Sequence, residues 1–305
     1  MSLYAGPRLG RAGLGNILFP WARAELFARS TGIRIVAPDW GTLRVGPYLR
    51  REPDKRRYGS FFTCTDHVHG MRRFVLDKFA TPLLEGQPEC VYDAAKCSAR
   101  PHVVVFSGIG ELFSPLLSEH EYVRQRLWDM TRIQLRPGAG AKGPQFIAMH
   151  VRRGDITRQG FTESDLAVSN QYTPLDWFVE MAVAMRREST TAEMPIVVYS
   201  DGSADELSAL LKVSGVQMAQ RQPAIVDLWS MSQASLLFAS GYSTFSMWAS
   251  YLGGMPSVYA PGKRQQFVQA GRAGAVEVEV AAGDVIPDCV TAHRRLALGS
   301  SESWS

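Results

Sequence analysis

The sequence predicts an α/β protein of two domains built on parallel strands, and three observations predict it. From residue 146 onward, short apolar runs alternate with longer amphipathic ones at the spacing of βαβ units. Near the start, a glycine-rich run ending Gly13-Leu14-Gly15-Asn16 follows a short strand and opens onto a helical pattern. Between them stands Arg-Pro-Gly-Ala-Gly-Ala-Lys-Gly-Pro at 136–144, a flexible connection of the kind that separates domains. A chain of 305 residues agrees with roughly one domain per 150 residues. The expected division is 1–140, 141–286, and a C-terminal helix with a polar tail at 287–305.

Composition narrows the class. At 46% hydrophobic and 20% charged residues, the chain can bury large cores, which argues against extended disorder. Its 33 Lys and Arg are offset by 29 Asp and Glu, a net charge of +4 that tolerates an anionic ligand without demanding nucleic acid. No run of about 18 apolar residues and no signal-peptide pattern occurs, so a soluble cytoplasmic protein is expected. Cys64, Cys90, Cys97 and Cys289 lack zinc-site spacing and scaffold density, and read as reduced thiols. His67 and His69 lack Cys or acidic partners at metal spacing.

Residues 2–5 read as a first strand. Leu18, Phe19, Ala22, Leu26 and Phe27 then recur at helical spacing, with Pro20 expected in the first turn. Ile-Arg-Ile-Val-Ala at 33–37 closes a first βαβ unit. The glycine turn is neither Gly-x-Gly-x-x-Gly nor a P-loop, which leaves a dinucleotide oxidoreductase weakly supported, with only Asp39 near ribose-binding distance. Residues 40–96 show little sustained periodicity. Their basic cluster from Arg50 to Arg57 and the pair Arg72-Arg73 read mainly as a solvated face. A strand at 102–106, a turn at Gly108-Ile109-Gly110 and a helix at 119–135 complete the first half.

The second half reads as strand 146–150, helix 174–187, strand 196–200, helix 205–213, a short segment near Val216 and helix 225–233. Strand 236–240, a helix after Ser243 and strand 257–259 follow. Met247, Trp248 and Tyr251 are expected on the buried face of that last helix.

The first of these strands ends abruptly in charge: Ile147-Ala-Met-His-Val-Arg-Arg-Gly-Asp155. In open α/β sheets ligands sit beyond the carboxyl ends of the strands, so a binding loop belongs here. Two adjacent guanidiniums suit a phosphate-bearing ligand, because arginine offers a planar fork of donors. One arginine is expected to address the ligand while the other holds Asp155; a plain surface ion pair between Arg152 and Asp155 is the alternative.

Three stretches then stand in order: Gly13-Leu-Gly-Asn-x-x-Phe19, His150-Val-Arg-Arg-Gly-Asp155, and Ser200-Asp201 followed by Asp227-Leu-Trp-Ser-Met-Ser-Gln233 and Ser243-Thr-Phe-Ser-Met-Trp248. Together they resemble the motifs of the α1,2-fucosyltransferases and, more distantly, of the α1,6- and protein O-fucosyltransferases. Ile17, Pro20 and Trp21 depart from the first motif, and 40–96 matches nothing in it. The resemblance implies a GT-B architecture, two Rossmann-like domains facing across a cleft, and inverting transfer from GDP-fucose to a glycan hydroxyl. It implies that Arg152 binds the pyrophosphate with Arg153 in support. His150 and Asp227 would address guanine, Ser243, Thr244 and Phe245 would cradle the phosphates, and Asp201 belongs to the same donor set. Gly15 and Asn16 would serve from the first domain, Asn16 reaching into the cleft.

Cleaving a sugar–phosphate bond leaves charge on the β-phosphate that something must stabilise. No Asp-x-Asp pair occurs to hold a divalent cation, so no metal and no cofactor are expected; Arg152 with the amides and hydroxyls of Ser243 and Thr244 would take that role. The acceptor's proton needs a base, for which Asp155, Glu163 and Asp165 are the candidates, Asp155 more as a positioner of the guanidiniums. Another linkage, a peptide acceptor, or a binding module without turnover are the alternatives.

Overall fold

The computed structural model describes residues 2–41, 58–137, 145–153, 172–188 and 190–290. Asp155, Glu163 and Asp165, the cluster from Arg50 to Arg57, most of the 136–144 connection and the tail beyond residue 290 lie outside the described residues. The chain forms two compact units, one reaching Leu135 and the other starting at Arg136.

The first unit contains β1 (Leu3–Arg8), α1 (Leu14–Thr31), β2 (Arg34–Ile35), α2 (Gly70–Phe79), β3 (Thr81–Leu84), α3 (Glu89–Cys97), β4 (His102–Ser107) and α4 (His120–Met130). Its sheet runs β2-β1-β4-β3 with every pairing parallel. Leu3, Ala5, Val104 and Phe106 pack on one face against Ala24 and Ala28 of α1 and Tyr92 and Ala95 of α3. On the other face Tyr4, Val36 and Val103 pack with Val68 and with Leu76 of α2.

Helix α1 starts after Gly13, so Pro20 falls in the second turn rather than the first and removes one internal hydrogen bond. The helix is also less amphipathic than its pattern suggests, since Trp21, Arg23 and Glu25 are buried along with its apolar residues. It ends at Gly32, whose φ of 67° suits a residue without a Cβ.

Two expectations are corrected here. The stretch without periodicity contains α2, β3 and α3. The apolar residues of α2 do recur at helical spacing, but over only ten residues, and β3 is a largely exposed edge strand of four residues containing Pro82. The helix expected at 119–135 stops at Met130, and Ile133–Leu135 is a separate 3-10 turn.

The second unit contains β5 (Ile147–Val151), α5 (Leu175–Arg187), β6 (Ile196–Ser200), α6 (Ser208–Leu211), β7 (Val216–Met218), α7 (Ala224–Ser232), β8 (Leu236–Ala239), α8 (Thr244–Gly253), β9 (Ser257–Tyr259) and β10 (Glu277–Glu279). Its sheet order is β10-β9-β8-β5-β6-β7, parallel throughout. From β5 the chain winds outward through β6 and β7, then returns to place β8, β9 and β10 on the other side. That is the doubly wound order of a Rossmann-like sheet, with its switch point between β5 and β8. The expected α/β class of parallel strands and helices is borne out in both units.

All five residues of β5 are buried. Ile147, Met149 and Val151 pack with Trp177, Phe178 and Met181 of α5, and each such side chain contributes about 1.5–3 kcal/mol. Met247, Trp248 and Tyr251 of α8 are buried as expected. The helix expected at 205–213 shrinks to the single turn of α6, and β10, only three residues long, carries too little pattern to read. The four cysteines are free thiols.

Candidate functional site

Where β5 ends, its backbone loses sheet partners and side chains of the neighbouring strand ends replace them. Ser240, just past β8, donates from Oγ to the His150 carbonyl at 2.7 Å and accepts from the Arg152 amide at 2.9 Å. Ser200, closing β6, donates to the Val151 carbonyl at 2.5 Å, and the Arg153 amide donates to Asp201 Oδ1 at 2.7 Å. Hydroxyls and a carboxylate thus satisfy buried backbone groups and hold three strand ends in register.

The turn from β8 into α8 is equally constrained. The Gly241 amide donates to Thr173 Oγ1 at 2.9 Å and the Tyr242 amide to the Lys263 carbonyl at 3.2 Å. Tyr242 has a φ of 49°, a left-handed conformation that costs a residue with a side chain about 1–3 kcal/mol. The sharp turn sets buried Ser243 as N-cap of α8, where its Oγ accepts from the Ser246 amide at 3.5 Å. Thr244 and Phe245, half-buried, open the helix beside it. A helix of ten residues begins here with amides directed at the switch point, a favourable place for an anion.

The charged residues sort by exposure. Arg153 is buried, its guanidinium 5.0 Å from the ring of Tyr172, while Arg152 is half-buried. The backbone of Gly202 lies so close that an added Cβ would meet Arg153 Cβ at 3.1 Å, so glycine there lets the two strand ends approach. Arg153 is built into the wall, and Arg152 has the more accessible guanidinium.

His150 Nδ1 pairs with Ser246 Oγ at 2.5 Å, and its ring lies 5.5 Å from that of Phe245. Burial pushes the imidazole down to about 4, opposed by the charge of Asp201 and reinforced by that of Arg152. His150 is therefore neutral at physiological pH, with one nitrogen a donor and the other an acceptor. Asp227, in the first turn of α7, belongs to the same end of the sheet. Burial first, then the charge of Asp227, pushes Tyr199 up to about 12, and Tyr199 is the residue paired with His150 across β5 and β6.

The switch point thus gathers His150, Arg152, Arg153, Asp201, Ser243, Thr244 and Phe245, with Asp227 within electrostatic reach of the neighbouring Tyr199. Gly15 and Asn16 occupy the first turn of α1 in the other unit, Gly15 buried and the Asn16 amide donating to the Gly13 carbonyl at 3.1 Å. Sequence reasoning did not single out Ser240, Thr173 or Tyr172 as part of the site, and it held Ser200 and Ser246 only as members of motif stretches without a role of their own. Single hydroxyls at strand ends carry no signal without the sheet order that makes them neighbours. Ser240→Ala is expected to lower stability by about 1–3 kcal/mol, read as a lower urea midpoint, because two buried backbone groups lose their partner.

The first unit has a cavity of its own, about 270 Å³, lined by its residues alone at the carboxyl end of β1. Arg8, Asp39, Arg73 and Asp77 contribute charged groups to its wall, and Asp77 lies 3.7 Å from Arg8 and 3.4 Å from Arg73.

No family model matches the chain, and no curated protein matches it. Solved structures do. The fucosyltransferase NodZ from Bradyrhizobium superposes with a TM-score of 0.50 at 15% identity, over 87% of this chain and 96% of that one. A NodZ α1,6-fucosyltransferase soaked with GDP-fucose gives a TM-score of 0.49 at 14% identity, with 87% and 96% covered. POFUT1 in complex with GDP gives 0.46 at 15%, with 84% and 97% covered. At 15% identity the first of these likenesses establishes a shared fold, which is of the GT-B class.

Proposed function

We propose that the chain is an inverting, metal-independent glycosyltransferase that moves fucose from GDP-fucose to a glycan hydroxyl. The observation that carries this reading is the pairing, at one switch point, of an accessible Arg152 with the amide-rich start of α8. The fold shared with a fucosyltransferase and the three ordered motifs support the choice of sugar.

In the proposed reaction the acceptor oxygen attacks the anomeric carbon as the bond from that carbon to the β-phosphate oxygen breaks. The electron pair leaves with GDP. Arg152 and the amides and hydroxyls of Ser243 and Thr244 meet the charge as it develops, in an environment where burial strengthens each contact. Arg153 and Asp201 hold this frame. Guanine presents two adjacent donors and a carbonyl, which match the carboxylate of Asp227 and a neutral donor on His150. The acceptor proton passes to a carboxylate, for which Glu163 and Asp165 are proposed, with Asp155 positioning the guanidiniums. Galactose O2 is the proposed acceptor atom, on the strength of the motif resemblance.

The test is transfer from GDP-fucose to galactose-terminated oligosaccharides in EDTA, with the product linkage read by NMR. A fucosylated product with a new bond at galactose O2 is expected. Activity abolished by EDTA and restored by magnesium or manganese would overturn metal independence, and a bond at another position would overturn the linkage. Turnover only with another nucleotide sugar would overturn the donor.

A further inference from the structure

We propose that α2 is a membrane-surface helix, which seats the first unit on lipid bilayers rich in anionic headgroups. The observation is an apolar face turned to solvent: Met71, Phe74, Val75 and Phe79 are 77%, 55%, 41% and 73% exposed. At 3.6 residues per turn these four fall within an arc of about 140° that leaves out Leu76, the one buried residue of the helix. Leu84, on the edge strand β3 that follows, is 70% exposed as well. Scattered apolar residues on a surface need no explanation, but four large ones on one face of a ten-residue helix do.

Charge selects the occupant. The ten-residue helix carries Arg72, Arg73 and Lys78 against a single carboxylate, Asp77. Arg72 donates to the Tyr4 hydroxyl at 2.6 Å and stands beside Phe79 at one flank of the apolar arc, whereas Arg73, 3.4 Å from Asp77, lies on the opposite side of the helix. Lys78 falls inside the arc, between Phe74 and Met71 on the helical wheel. Its long stem lets the ammonium reach a phosphate headgroup while the surrounding apolar groups enter the acyl boundary, an arrangement suited to an interfacial helix. A second copy of the chain fits less well. A two-fold contact through this face would set Lys78 near its own symmetry mate in an apolar contact, where like charges repel. No helix among the described residues is long and apolar enough to cross a membrane, so the attachment is peripheral.

The proposal stands apart from the transferase reading, because its test contains no nucleotide or sugar. The purified full chain is sedimented with vesicles of phosphatidylcholine alone and of phosphatidylcholine with an equal part of phosphatidylglycerol. Binding is expected to the anionic vesicles, to weaken about tenfold or more in the double variant Phe74→Glu, Phe79→Glu, and to fall with added salt. Lys78→Glu should weaken it too, while Phe74→Leu should retain it. Both charged variants replace exposed residues, and circular dichroism checks that they remain folded. No binding to anionic vesicles, binding unchanged by the double variant, or concentration-dependent self-association in light scattering that the double variant abolishes would each overturn the proposal.

Discussion

Arg152→Ala is expected to remove GDP binding measured by calorimetry in EDTA while leaving the thermal unfolding of the protein nearly unchanged. The two halves of this result come from different parts of one residue. The Arg152 amide, which ties β5 to Ser240, survives the substitution. Its half-buried guanidinium is what is lost. Charge-assisted hydrogen bonds contribute about 1.5–3 kcal/mol each, so losing the fork should raise the Kd by roughly a hundredfold or more. Arg152→Lys should recover only part of it, because an ammonium is a point charge without the planar geometry that grips two oxygens. Arg153→Ala should behave in the opposite way, lowering stability through the lost packing against Tyr172 and beside Gly202. GDP affinity in Arg152→Ala within about threefold of the parent would remove the donor site from the end of β5.

The second large effect concerns stability, and it centres on Glu25. This carboxylate is buried in the middle of α1 and is met from every side by polar partners. His67 Nε2 lies 3.0 Å from Oε1, Arg126 Nε donates to Oε2 at 3.0 Å, and Trp21 Nε1 donates to Oε1 at 3.1 Å. The Tyr122 hydroxyl donates to Oε2 at 3.4 Å, and Arg126 also reaches Asp66 at 2.8 Å. Burial works to raise the Glu25 carboxyl, but its bonds with His67 and Arg126 outweigh that and hold it below the usual range. The cluster joins α1 to α4 and to the loop before α2. Glu25→Ala leaves cationic groups buried without their counter-charge, an arrangement worth about 3–5 kcal/mol, and should lower the Tm by roughly 10 °C.

The same cluster predicts a pH dependence. Burial disfavours the charged His67 ring, yet its contacts with Cys64 and Glu25 prevail and push it up to about 9. A histidine whose folded pKa exceeds its unfolded value of about 6.5 binds more protons in the native state between the two values. Its contribution is therefore complete below about pH 6.5 and is lost as pH rises through about 9. Urea midpoints across that window should fall for the parent and stay level for His67→Gln. Parallel slopes in the two proteins would show that His67 is not the titrating group.

His67 also illustrates the limits of reading along the chain. In the sequence it is a histidine in a loop, two residues from His69, without metal-spaced partners. Its partner Glu25 is 42 residues away, on a helix that neither spacing nor periodicity connects to it. The apolar residues of α2 misled differently. Met71, Phe74, Val75 and Phe79 recur at helical spacing over a single short helix, and such spacing predicts a buried face, whereas α2 turns that face outward and buries only Leu76.

By itself the sequence determined the alternation of the second unit and the strand that ends in His150, Arg152 and Arg153, because buried parallel strands are short apolar runs and their ligand-facing ends switch abruptly to charge. It determined as well that Ser243 begins a helix, since a hydroxyl before an apolar run is an N-cap signal that needs no distant partner. The tertiary structure alone decided that β8 returns beside β5, which makes Ser240 the link between His150 and Arg152. It alone decided that Arg153 is buried while Arg152 is half-buried, and that His150 is neutral. Sheet order brings together residues about ninety positions apart, and burial depends on everything packed around a side chain; neither property is carried by the residues next to it in the chain.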